Sequence, residues 1–338
     1  MRLKELLPDM GFSQMAGDRQ NNNLVDTKNG KCPAGSILSY QLSFTESNFS
    51  AHVDISAIPH VISDTQQQNI DSYPRFPLVK EHPMNAPDLN DTEQSLLDFL
   101  FVDEDEISHI EQITKNQAEC DEWKRQRKYR FTASSFDLIR RRERNHDTFA
   151  KNIIHPPALT NKYVEHGKKF EPVALMEYQT LMKLKKMPVT VIPSGFVVSK
   201  SHPVLGASPD GKIVDTGCSD CFGLAEVKCP WTKASVTPLD ACSDPKFFME
   251  KTGENICKLK TNHAYYAQVQ GQMGITGAQW CDFIVYTKKG IYIQRVPFDV
   301  EFWEKLRDEL TAYYFQHFIK YAAEDFNSRT TTEAGKQD

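Results

Sequence analysis

The sequence predicts an α/β chain built on a central mixed β-sheet flanked by helices. Three observations carry that expectation. Apolar residues recur at helical spacing around residues 96–113, 163–181 and 302–317. Short β-rich runs cluster between residues 189 and 229 and again between 280 and 296. The order is therefore helix, strands, helix, strands, helix, which suits a sheet sandwiched between helices.

Residues 1–90 are rich in Asn, Gln, Ser and Asp and show little helical periodicity. Pieces such as residues 36–44 and 52–62 can pair as strands, but the stretch as a whole is expected to be an acidic, flexible leader. Helical order begins near Asp91, with Leu96, Leu97 and Leu100 and then Ile107, Ile110 and Ile113. After Trp123, a basic run reaches Arg130, and Thr132-Ala-Ser-Ser135 then offers N-cap residues to a helix starting near Ser134. Tyr163, Gly167, Phe170, Ala174, Tyr178 and Leu181 make a long stripe, broken by Pro172, which must kink the helix or open a new one. Strands are expected over residues 189–198, 204–207, 212–214 and 224–229. A helix over 265–275 and a hairpin over 280–296 follow, and a last helix displays Phe302, Leu306, Leu310, Tyr313 and His317. The domain proper is thus expected over residues 91–326, with a disordered tail at 327–338.

Composition narrows the class. The chain has 338 residues, 40% hydrophobic and 25% charged, which excludes collagen-like and wholly disordered chains. No apolar run approaches the roughly 18 residues a membrane helix needs, so no membrane partner is expected. Residues 1–12 lack the apolar core of a secretory signal. Eight scattered cysteines read as a reducing compartment, and an intracellular location is expected. The net charge of −5 conceals a division: residues 1–122 carry −13 and residues 123–338 carry +8. The basic part suits a polyanionic partner.

The residues that can do chemistry lie between Glu171 and Gln270. Ser208-Pro-Asp-Gly211 sets Asp210 at a turn, and Ala225-Glu-Val-Lys-Cys-Pro230 follows fifteen residues later. Within a strand, residues two apart share a face, so Glu226 and Lys228 project together. Two carboxylates and a lysine at a sheet end suit a hard divalent cation with open positions for phosphate and water. Alone, Glu-x-Lys is usually a solvated face and Pro-Asp-Gly a turn. Their order and spacing favour a site.

These residues resemble the PD-(D/E)XK nuclease signature, and more closely the lambda-exonuclease-like or YqaJ-type viral recombinase group. The resemblance rests on five ordered motifs: Trp123, Arg127 and Thr132-Ala-Ser134; Gly167-Lys-Lys-Phe-Glu171; Ser208–Gly211; Glu226–Pro230; and Ala267-Gln-Val-Gln270. It covers roughly residues 95–325 and implies a restriction-endonuclease-like sheet. It implies a Mg²⁺-dependent exonuclease on duplex DNA ends, with Mn²⁺ able to substitute. Asp210 and Glu226 would hold the main ion with the Val227 carbonyl, and Glu171 would serve a second metal or a metal-bound water. Lys228 would position the nucleophile. Gln270 would orient the lysine or the phosphate, because it matches the family's functional glutamine; Gln268, about 200° around the helix, would then face away. Arg127 and Ser134 would hold a DNA 5′-phosphate. A single-strand annealing or recombination protein, and further copies of the chain, are the expected partners. The rivals are a structure-specific endonuclease on the same fold and a DNA-binding module without catalysis.

Other features have competing readings. Cys218-x-x-Cys221 is either half of a zinc site, with Cys229 and Cys242 as further ligands, or two thiols in a turn. His166, His202 and His263 lack a nucleophile partner and are read as packing or contact residues. The run Arg140 to Arg144 is either a solvated face or a guide for a DNA backbone. The polar insertion over residues 229–262 has no assigned role.

Overall fold

The computed structural model describes residues 24–27, 30–33, 49–60, 72–79, 81–157 and 161–334. Two compact units divide at Phe49 and Ser50. Within the first, strands β1 (Leu24–Thr27) and β2 (Gly30–Pro33) form an antiparallel hairpin with Leu24 opposite Pro33. The expected strand over residues 36–44 lies outside the described residues. Everything below concerns the second unit.

It opens with the edge strand β3 (Ser50–Asp54). Helices α1 (Asp91–Leu100) and α2 (Glu104–Ile113) follow, each started by a capping box, Asn90 with Glu93 and Asp103 with Glu106. Next come α3 (Asp121–Arg127), β4 (Phe131–Thr132), α4 (Phe136–Arg140), α5 (His146–Ile154) and α6 (Lys162–Leu184). Strands β5 (Thr190–Ile192), β6 (Val197–Val198), β7 (Leu205–Ala207), β8 (Gly211–Val214) and β9 (Phe222–Lys228) then run in sequence. A short helix α7 (Pro238–Ala241) and a hairpin of β10 (Met249–Lys251) and β11 (Cys257–Leu259) fill the insertion. The chain continues with α8 (Ala264–Thr276), β12 (Trp280–Thr287), β13 (Gly290–Pro297), α9 (Val300–Tyr313), a π-helical segment Tyr314–Phe318 and α10 (Ile319–Ala334). No helix among the described residues is long and apolar enough to cross a membrane.

Six strands form the central sheet in the order β3-β13-β12-β9-β8-β5. β12 runs parallel to β9 and β3 parallel to β13, while the remaining neighbours are antiparallel, so the sheet is mixed as expected. A second sheet has the order β4-β7-β6. Residues 223–227 of β9 and all of β12 are buried, which fits apolar runs covered on both faces. The pleat then sorts the polar residues. Glu226 lies beside Phe283 and Ala225 beside Asp282, so Glu226 and Asp282 point to opposite faces. Helix α8 covers the Glu226 face and α6 the Asp282 face. On α8, Gly274 leaves room for Trp303; a Cβ there would stand 2.2 Å from the indole. Gly277, at φ +77°, ends the helix in the left-handed region.

Several boundaries differ from the sequence reading. The leader was expected to run to residue 90, yet β3 pairs with β13, Phe76 is buried in the core and the Tyr73 hydroxyl donates to the Gly223 carbonyl. The expected strand over 189–198 is two strands in two different sheets. Pro193 cannot donate to a ladder, and Gly195 allows the chain to touch the Glu111 carbonyl. α6 continues as one helix through an exposed Pro172, so no new helix opens there. The helix expected from Ser134 is a 3-10 turn over Ala133–Ser135 followed by α4. α10 extends to Ala334, well into the expected disordered tail. The insertion is partly core: Phe247, Phe248, Met249, Cys257 and Leu259 are buried, and the Tyr292 hydroxyl binds the Cys257 backbone at 2.8 and 3.0 Å.

The α6 face holds a buried ion cluster. Arg295 makes a two-pronged contact with Asp282 (2.8 and 2.9 Å) and a third bond to Asp215 (2.7 Å). Tyr178 donates to Asp282 at 2.5 Å, and the guanidinium lies 3.7 Å from the Trp280 ring centre. His60 stands 3.0 Å from Asp215 without hydrogen-bond geometry. Arg295 and Asp282 are both fully buried, so removing one strands the other charge. Asp282→Ala should therefore lower the unfolding free energy by about 3–5 kcal/mol, read from the denaturant midpoint at constant slope. A loss below about 1 kcal/mol would mean the cluster is not closed in solution.

Glu177 on α6 is buried with one oxygen unpartnered, and burial pushes its carboxyl up to about 8. A raised folded-state pKa stabilises the fold below the ordinary carboxyl value and loses that contribution as pH rises through 8. Glu177→Gln should flatten the fall in stability between about pH 5 and pH 8. An unchanged pH slope in urea unfolding would show that Glu177 is ionised in the fold.

Candidate active site

The site grows from two adjacent antiparallel strands. Asp210 immediately precedes β8, and its backbone N–H donates to the Ala225 carbonyl at 3.1 Å. Its carboxylate in turn accepts from the Val227 N–H at 2.7 Å. The turn carrying Asp210 is thus fixed to β9 by both backbone and side chain. Gln117 also donates to the Pro209 carbonyl at 3.0 Å.

On β9, the Lys228 ammonium donates to Glu226 Oε1 at 2.5 Å, confirming that the two side chains share a face. Gln268 Nε2 donates to the same oxygen at 2.6 Å, and Gln272 Nε2 donates to Oε2 at 2.8 Å. Gln268 Oε1 accepts from Lys228 at 3.3 Å, and the ammonium lies 4.3 Å from the Tyr265 ring centre. Glu226 is only 1% exposed, so these donors replace the water it lacks.

Electrostatics joins Glu171 to this group. Burial, then the Glu226 carboxylate, raises the Glu171 carboxyl pKa. Burial, then Glu226 and Glu171, pushes Asp210 well above the ordinary carboxyl range. Burial alone would lower Lys228, but Glu226 and Asp210 outweigh it and hold the ammonium above its ordinary value. The set is three acids and one base, with the acids destabilising one another's charge.

The structure corrects the choice of glutamine. Gln270 is fully buried and donates to the Pro297 carbonyl at 3.0 Å, while its Oε1 accepts from the Asp299 N–H at 2.9 Å. It fixes the corner between β13 and α9 and does not reach Glu226. The physical reason is helical phase: Gln268 and Gln272, four apart, share one face of α8 and Gln270 faces away. Gln272 was missed altogether, although the Gln-x-x-x-Gln spacing was the available signal.

The Arg127 element lies alongside. The Arg127 guanidinium rests 3.8 Å from the Trp123 ring centre, and Trp123 Nε1 donates to Ser208 Oγ at 2.9 Å. Trp123 therefore ties this element to the Asp210 turn. Arg127 Nη2 donates to Thr132 Oγ1 at 3.4 Å, and that oxygen stands 3.5 Å from the exposed Ser134 hydroxyl. Burial pushes Arg127 down to about 10, which leaves it charged at neutral pH. No carboxylate pairs with it among the described residues.

The remaining candidates are largely occupied. Arg140 and Arg141 both pair with Asp137, and Arg142 lies 4.1 Å from the Phe149 ring centre. His263 caps α8 by accepting from the Tyr265 N–H, His202 is buried beside Ser201, and His166 packs against Phe170. Cys218 and Cys221 are free thiols in the β8–β9 turn, with Cys221 Sγ donating to the Cys218 carbonyl at 3.1 Å.

Oxygen donors of this kind suit a hard divalent cation, and the mutual repulsion of Asp210, Glu171 and Glu226 is the kind a cation relieves. As they stand, no three His, Cys, Asp or Glu side chains among the described residues converge tightly enough to hold an ion. Both Glu226 oxygens and one Asp210 oxygen are held by N–H donors instead. The donor set fits a metal in kind, and the carboxylates would have to turn toward it.

Residues 122–279 match the family model of the YqaJ-like viral recombinase domain. That span contains every motif named above, from Trp123 to Gln272. An uncharacterized protein of Acanthamoeba polyphaga mimivirus is 27% identical over 188 residues. The match takes in 52% of this chain and 30% of that relative, so the chain spans less than a third of its length. Among solved structures, an alkaline exonuclease from Laribacter hongkongensis is 23% identical, with a TM-score of 0.45 over 63% of this chain and 98% of the other. The SOX protein of Kaposi's sarcoma-associated herpesvirus, solved with RNA, is 14% identical, with a TM-score of 0.44 over 65% and 74%.

Within residues 122–279, Gln270→Ala should cost about 1–3 kcal/mol of stability through two lost buried bonds and leave divalent-ion affinity unchanged. Gln272→Leu should instead weaken divalent-ion affinity. Chemical unfolding and Mn²⁺ titration separate the two, and the reverse pattern would return Gln270 to the site.

Proposed function

We propose that this chain is a metal-dependent deoxyribonuclease that hydrolyses duplex DNA from its ends. The observation that supports it most strongly is the Asp210–Glu226–Lys228 group built across β8 and β9, inside a span matching a viral recombinase domain. A bound Mg²⁺ or Mn²⁺, held by Asp210, Glu226 and Glu171 with the Val227 carbonyl, would lower the pKa of a water and screen phosphate charge.

The chain's own residues do the rest. Lys228 keeps a full positive charge beside Glu226 and can steady an attacking hydroxide or the charge that develops on phosphate. Gln268 and Gln272 hold the Glu226 carboxylate in one orientation. Gln268 also restrains the lysine. Arg127, with Thr132 and Ser134, forms the candidate pocket for a 5′-phosphate. A terminal monoester carries up to two charges and a backbone diester one, so a desolvated, unpaired arginine favours the end. Single-strand annealing or recombination proteins and further copies of the chain are the partners this activity would call for.

The test uses linear duplexes labelled at either end, with 5′-phosphate or 5′-hydroxyl termini, beside a covalently closed circle, all with Mg²⁺. Label should be lost from ends, faster with a 5′-phosphate, and the circle should stay closed. Asp210→Asn should abolish cleavage. Arg127→Ala should remove the phosphate preference, slowing that substrate by about one to two decades, or roughly 1.5–3 kcal/mol. Efficient nicking of the circle would make the enzyme an endonuclease. Binding without any cleavage would leave only a DNA-binding module.

A further inference from the structure

A cleft of about 370 Å³ opens beside Lys228, where β9 leaves the sheet. Its wall includes two aromatic side chains the core does not use: Trp231 is 45% exposed and Tyr163 is 52% exposed. Trp231 follows Pro230 in a 3-10 turn, and Tyr163 lies in the first turn of α6. The His166 ring meets Trp231 edge-on, with ring centres 5.2 Å apart and planes at 82°, which buttresses the indole. Lys162 Nζ lies 5.3 Å from the Tyr163 ring centre and 6.0 Å from that of Trp231. Exposed Lys246 also lines the cleft, and its one acid, Asp244, is already paired with Lys233 at 2.7 Å.

Aromatic faces set among cations suit a flat π-system joined to an anion. A nucleotide is both, and every base offers a face to stack. A paired base inside a duplex is already stacked, so the cleft can take only one that has left the helix. We propose that this cleft binds an unpaired nucleotide of single-stranded DNA, its base stacked on Trp231 beside Tyr163 and its phosphates toward Lys246 and Lys162. The cleft is continuous with Lys228, so the strand would leave it directly at the reacting group. The proposal rests on the nuclease reading, and it adds that the enzyme grips a strand already separated from its complement.

Tryptophan fluorescence in the presence of EDTA tests it without cleavage. Trp280 and Trp303 are buried and Trp123 is covered by Arg127, so Trp231 is the tryptophan most open to a base. Oligothymidylate should quench wild-type emission, and an abasic deoxyribose-phosphate oligomer of equal length should bind at least about tenfold more weakly. Trp231→Phe should lose the quenching and keep the affinity. Trp231→Ala should weaken oligothymidylate binding by about tenfold or more. Equal affinity for the abasic oligomer, or wild-type affinity in Trp231→Ala, overturns the cleft. A protein that passes these tests yet cuts no DNA upholds the cleft and removes the nuclease reading. One that cuts DNA while Trp231→Ala binds like wild type overturns the cleft alone.

Discussion

The structure depends on keeping one carboxylate inside a sheet. Glu226 is in the fourth strand of six and is almost wholly out of water. A buried charge survives only if it is paired and hydrogen-bonded. The chain meets that need with short-range geometry: Lys228 is two residues away on the same pleat, and Gln268 and Gln272 lie four apart on one helix face. The phase of α8 against β9 is therefore fixed by chemistry as much as by packing. Gly274 and Trp303 support the same placement from the other side of the helix.

The opposite face of the sheet carries a second buried charge problem with a different solution. Arg295 answers Asp282 across the β12–β13 pair and Asp215 at the end of β8, while Tyr178 adds a hydroxyl from α6. This cluster ties together the strands on which the Asp210 turn and Glu226 depend. The closed ionic cluster and the candidate site thus lie on the two sides of one sheet. The first group is closed, with one guanidinium hydrogen-bonded to both carboxylates and a tyrosine hydroxyl donating to one of them. The second is not: three acids share one lysine, which leaves room for a cation from solution.

What the sequence made legible was whatever depends on local period. The mixed sheet between helices, the i, i+2 partnership of Glu226 and Lys228, and the hairpin of β12 and β13 all follow from spacing alone. Long-range pairing was not legible. β3 joins β13 across more than 230 residues, and nothing in its five residues announces that partner, so the boundary fell at 90 rather than 50. The choice of Gln270 failed because motif resemblance outweighed helix phase. The split of residues 189–198 required knowing that Gly195 touches Glu111. Trp123 was legible as a motif residue, but its bond to Ser208, which joins two parts of the candidate site, is a contact across 85 residues.

The central claim is that Asp210 and Glu226 together take up a divalent cation. Calorimetric titration of Mn²⁺ into the full chain, beside Asp210→Asn and Glu226→Gln, measures this without any nucleic acid. The account predicts saturable binding by the wild type and at least a tenfold loss in each variant, with the far-ultraviolet spectrum unchanged. Equal affinity in all three proteins would contradict it.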